Sequence, residues 1–100
     1  MSSLTITTIQ TDLHWENKEA NLRMLEDKFR NLKEQTEIII LPEMFSTGFT
    51  MQPELLAESM EGETMTWMKE MAARHRIILA GSIIIKEDEK YYNRFSAKSV

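Results

Sequence analysis

The chain has 100 residues, 42% of them apolar and 28% charged, with a net charge of −4 at pH 7 and no cysteine. That length fits one domain or part of one, able to bury roughly two-thirds of its unfolded surface. The mild negative charge, with no basic run interleaved with aromatics, excludes a phosphate-tracking nucleic-acid binder; the lack of cysteine excludes a disulfide scaffold, a thiolate metal site or a cysteine nucleophile within these residues.

Residues Met1 to Gln10 carry neither a basic region nor an apolar block, so no signal peptide is expected. No apolar stretch approaches the ~20 residues of a membrane span, and a cytoplasmic protein without membrane partners is the expectation. Leu4, Ile6 and Ile9 lie among Thr5, Thr7 and Thr8, a β-branched stretch that reads as a first strand. From Asn17 to Lys33 the period becomes helical, with Leu22, Leu25, Phe29 and Leu32 on one face and Asn17 as cap. Ile38 to Leu41 reads as a second strand ended by Pro42, and Pro53 opens a short helix.

A fuller helix follows over Glu63 to Arg76, with Met65, Met68, Ala72 and His75 on one side and Trp67 and Met71 beside them. Methionines at that spacing are core packing. Ile77 to Ile85 reads as a third strand, interrupted at Gly81 and Ser82. The charged turn from Lys86 to Lys90 leads into a fourth strand from Tyr91 to Val100, paired antiparallel to the third. The order is β-α-β-α-β-β, an α/β class with parallel pairing and right-handed crossovers. Two strands are apolar on both faces and need cover on both. Right-handed crossovers put both main helices on one face, so a partner layer is expected on the other.

In open α/β sheets, ligands bind outside the carboxyl ends of the strands. Glu43 stands at such an end in "EIIILPEMFSTGF", residues Glu37 to Phe49, with Leu41, Met44, Phe45 and Phe49 around it. Partial desolvation by these neighbours would make it a better general base near neutral pH. From the residues alone, a solvated loop glutamate is the commoner outcome. His14 and Trp15 follow the first strand and could reach the same cleft, though packing at the helix start is the commoner role. His75 lies near a helix C-terminus, where an imidazolium suits the dipole. Neither histidine has a ligand-spaced partner, so no metal site is expected.

The stretch "LPEMFSTGFTM" resembles the signature around the catalytic glutamate of the nitrilase superfamily of carbon–nitrogen hydrolases, and most of all its omega-amidase-like branch. "LTITTIQTDLHWENKEANL" is similar to that family's opening strand and first helix, with Asn21 inside the helix. "GETMTWMKEMAARHRIILAGSI" and "YYNRF", which contains Asn93, resemble its second helix and following strands. The resemblance covers all 100 residues and implies a four-layer α-β-β-α sandwich, of which residues 1–100 form the N-terminal portion. It implies a Glu-Lys-Cys constellation acting on a small-molecule amide, a 2-oxo acid monoamide, with Glu43 as general base and Phe45 and Phe49 lining the substrate pocket. No cofactor is implied, and a homodimer or higher homo-oligomer is. The family's lysine and cysteine are expected beyond Val100, because Lys98 is too close to Asn93 and Lys86 and Lys90 belong to a solvated turn. A related amidase, a carbamoyl-amide hydrolase with the same constellation, and a non-catalytic α/β interaction domain are the alternatives.

Overall fold

The computed structural model describes residues 4–32 and 35–99. Four strands form one sheet: β1 (Ile6–Thr8), β2 (Ile38–Ile40), β3 (Ile78–Glu87) and β4 (Lys90–Lys98). Their spatial order is β1-β2-β3-β4, with β1, β2 and β3 parallel and β4 antiparallel to β3. Three helices, α1 (Lys18–Arg30), α2 (Pro53–Leu56) and α3 (Glu63–His75), fill the parallel crossovers. This is the expected order, with the short Pro53 helix in its expected place. Lys33 and Val100 lie outside the described residues.

Asn17 caps α1 as expected, its side chain accepting from the Ala20 N–H at 3.1 Å. The helix stops at Arg30, short of the expected Lys33. Asn31 explains this, because its backbone N–H and its side-chain Nδ2 both donate to the Asp27 carbonyl and occupy a terminal acceptor. Gly62 stands at the N-cap of α3 and has no side chain to cap it. Glu58 supplies the acceptor instead. Its carboxylate takes the Thr64 N–H at 2.7 Å and the Thr64 hydroxyl, and pairs with Lys18 of α1 at 3.0 Å.

The core lies on one face of the sheet. Ile39, Leu79, Ile83 and Ile85 meet Leu22, Leu25 and Phe29 of α1 and Met65, Met68 and Met71 of α3. Trp67 binds the two helices together, donating to Glu26 at 2.7 Å and stacking on Phe29 with ring centroids 5.9 Å apart. His75 meets Phe29 edge-on, with ring centroids 5.7 Å apart. The opposite face carries Ile6, Ile78 and Phe95, which are 51%, 40% and 64% exposed. Both long helices therefore do cover a single face, as the handedness of the crossovers requires. Among the described residues no helix is long and apolar enough to cross a membrane.

Strand β3 is continuous, and the interruption expected at Gly81 and Ser82 is absent. The two residues have separate uses. A Cβ at Gly81 would come within 2.8 Å of the Phe45 ring, so the glycine makes room for that side chain. Ser82 turns to the other face and takes a hydrogen bond from the Met44 N–H at 3.0 Å.

Candidate active site

Strand β2 delivers Leu41 and Pro42 to its carboxyl edge, and the chain then makes one tight helical turn. The Gly48 N–H donates to the Met44 carbonyl at 2.8 Å and the Thr47 N–H to the same oxygen at 3.3 Å. Met44 has φ 49 and Gly48 φ 70, so the turn has a left-handed residue at each end. For Gly48 that conformation is free of steric cost; for Met44 it costs on the order of 1 kcal/mol. Strained backbone of this sort gathers where a side chain must be aimed.

Glu43 opens the turn and points onto the uncovered face of the sheet. It is exposed, in a cleft of about 330 Å³ lined by Leu41, Glu43, Ser82, Asn93 and Phe95. Asn93 of β4 donates its Nδ2 to Glu43 Oε1 at 2.6 Å, across 50 residues of sequence. Antiparallel pairing sets this up by placing Asn93 opposite Ile84 and Phe95 opposite Ser82.

The other two pocket candidates lie elsewhere. Phe45 is fully buried, against Gly81 and with its ring centroid 5.8 Å from that of Trp67. The helical turn sends it through to the helix side of the sheet, so it supports the loop from beneath and does not line the cleft. Phe49 is 67% exposed and is not among the cleft residues; its carbonyl accepts from Trp15 Nε1 at 3.0 Å. Neither ring is among the residues lining the Glu43 cleft.

Asn21 of α1, which the resemblance placed inside the first helix without a partner, ties two loops together. Its side chain is fully buried. Oδ1 accepts from the His14 N–H at 2.6 Å, and Nδ2 donates to the carbonyls of His14 at 2.7 Å and Ser46 at 2.9 Å. The loop after β1 is thereby tied to the loop after β2. Glu16 adds a second tie, its N–H donating to the Thr47 carbonyl at 2.7 Å and its carboxylate accepting from the Thr50 hydroxyl. His14 itself is exposed and takes part through its backbone, and Trp15 is 71% exposed. The signal for Asn21 was a polar residue inside an apolar helical stripe. Among the described residues no group of three or more histidines, aspartates and glutamates gathers to hold a metal ion.

The fold and this cleft define an α/β protein with a carboxylate held at the carboxyl edge of a parallel sheet. A profile of the carbon–nitrogen hydrolase family matches residues 5–97, and the chain belongs to that family. It is 34% identical over 97 residues to omega-amidase YafV of Yersinia enterocolitica, covering 95% of this chain and 36% of the relative. The 2-oxoglutaramate amidase of Bacillus subtilis is 25% identical over 91 residues, covering 89% of this chain and 35% of the relative. Among solved structures, XC1258 from Xanthomonas campestris, a CN-hydrolase superfamily protein, superposes with a TM-score of 0.91 at 28% identity over 99% of this chain and 37% of that one. An N-terminal amidase shares the fold, with a TM-score of 0.77 at 18% identity over 94% of this chain and 24% of that one. The chain thus spans about a third of the length of the curated relatives it matches.

Proposed function

We propose that residues 1–100 form the N-terminal portion of an amidohydrolase that cleaves the terminal amide of a small 2-oxo acid monoamide, with Glu43 as its general base. The observation that carries this reading is the Glu43 carboxylate at the end of β2, open to a cleft and oriented by Asn93. The similarity to an omega-amidase and a 2-oxoglutaramate amidase supports the substrate class. In this reading Glu43 removes the proton from a cysteine thiol as the sulfur attacks the amide carbonyl, and a lysine stabilises the oxyanion. Ammonia leaves with a proton returned from Glu43, and a water molecule then hydrolyses the thioester. Cysteine and lysine would come from outside these residues, along with the second sheet that covers Ile6, Ile78 and Phe95. The enzyme would act as a cytoplasmic homo-oligomer without a cofactor.

The test is ammonia release by the full-length protein from the monoamide of a short 2-oxo dicarboxylic acid. Glu43→Gln is expected to lower kcat by about 10²–10⁴-fold, the usual share of a general base. Its thermal midpoint should not move, because the side chain is exposed. A variant that works at the normal rate would remove Glu43 from the mechanism. The exposed apolar sheet face favours one other reading, a non-catalytic interaction domain. A full-length protein that releases no ammonia from any linear amide, yet binds a protein partner through that face, would establish it.

A further inference from the structure

The Glu43 carboxylate has two oxygens, and the structure treats them differently. Oε1 receives the Asn93 amide at 2.6 Å. Oε2 makes no hydrogen bond among the described residues. Backbone and side chain are held separately, since Ser82 Oγ takes the Met44 N–H and Asn93 takes the carboxylate. Both holding residues belong to the β3–β4 hairpin, on the same face, within two residues of each other in register.

Taking Glu43 as the base, we infer that Asn93 is a positioning residue that decides which carboxylate oxygen receives the proton. An oxygen that already accepts a hydrogen bond is the poorer base, so the free Oε2 takes the proton from the thiol as the S–H bond breaks, the sulfur's electron pair forms the C–S bond and the carbonyl π pair moves onto the amide oxygen. The amide side chain suits this task. It donates strongly to an anion, and being neutral it neither repels the carboxylate nor accepts its proton. Asn93 is exposed and has no place in the core, so the packing of the domain does not require it. Among the described residues lining the cleft, Glu43 is the one carboxylate that the Asn93 amide can orient.

The experiment uses the full-length enzyme and compares Asn93→Leu, Asn93→Asp and Glu43→Gln for kcat, KM and thermal midpoint. Asn93→Leu is expected to lower kcat about 10–100-fold, the cost of a catalytic group misplaced by about an ångström, with KM and the midpoint unchanged. Asn93→Asp keeps the shape but sets two carboxylates face to face. At neutral and alkaline pH it should be as slow as Asn93→Leu. On acidification the pair holds one proton between them, an O–H donor to Glu43 is restored, and the rate relative to wild type should climb. Normal kcat in Asn93→Leu beside an inactive Glu43→Gln overturns the inference and leaves the base in place. A fully active Glu43→Gln overturns the proposed function itself. A rise in KM alone, a lowered midpoint, or an Asn93→Asp rate that keeps a constant ratio to wild type at all pH values overturns the positioning role.

Discussion

With no exposure to solvent, the Asn21 side chain uses its carbonyl and both amide hydrogens on the backbone of two loops. Replacing it with leucine keeps the volume and strips partners from three backbone groups, at about 1–3 kcal/mol for each one left buried and unpaired. Urea denaturation of the full-length protein should show Asn21→Leu destabilised by about 2–4 kcal/mol. A loss under about 0.5 kcal/mol, typical of surface positions, would mean that the tie is dispensable. Gly48 raises a different issue. A Cβ there would find its nearest neighbours at 3.8 Å, so Gly48→Ala meets no clash and should cost only its left-handed φ, about 1–2 kcal/mol. The position of the candidate base was legible at this scale. Glu43 was placed at a strand end by Pro42 and the four apolar residues before it. Phe45 was expected to line the pocket, and its burial was not legible, because two rings four residues apart look alike in sequence. Only the helical turn at Met44 decides that Phe45 goes inward and Phe49 outward. The tie from Asn21 to Ser46 and the contact of Ser82 with Met44 were opaque because they span 25 and 38 residues.

Between β3 and β4 the chain reverses in two residues, Asp88 and Glu89, with φ 53 and 63. Both lie in the left-handed region that two-residue hairpin turns demand, where aspartate is tolerated and glutamate is poorly suited. The combined change Asp88→Asn and Glu89→Gly should stabilise the protein by roughly 1 kcal/mol, measured as a shift in the urea midpoint. No shift, or a loss, would mean that the turn is set by its strands alone. Next to the turn, Arg94 donates to Glu87 at 2.8 Å and lies over the Tyr92 ring. That hydrogen bond, then the charge itself, holds the Glu87 carboxyl below its ordinary 4.5. A lowered carboxyl stabilises the hairpin at pH above the ordinary value, and the effect fades as pH falls through the lowered one. Both side chains are open to solvent, so removal of the pair should barely alter stability at neutral pH. Gly81 is where the hairpin comes closest to the Phe45 ring. Gly81→Ala would drive a methyl group into Phe45 and should cost about 1–3 kcal/mol of overpacking while displacing the Glu43 turn. The hairpin was legible from its charged tip, whereas the reason for its one glycine was not, because the ring it accommodates comes from another element.

Across the whole molecule, rings run in series from His75 through Phe29 and Trp67 to Phe45, joining the far end of α3 to the underside of the Glu43 turn. The other side of the sheet has no such cover. Residues 1–100 on their own should therefore associate through Ile6, Ile78 and Phe95, seen as a sedimentation coefficient that rises with concentration. A monodisperse, cooperatively melting monomer would show that this face needs no partner layer. Its bareness followed from the handedness of two crossovers and was legible without coordinates.

The sheet order β1-β2-β3-β4 repeats the order of the chain. During synthesis, which proceeds from the N-terminus, each strand thus emerges next to an edge already formed, and no strand waits for a distant partner. Glu43 is an exception in time. Its amide partner is made 50 residues after it, on β4. The carboxylate is made early and aimed late. A nascent chain carries it loosely through half the length of this sheet, and it gains a defined direction only when β4 zips onto β3.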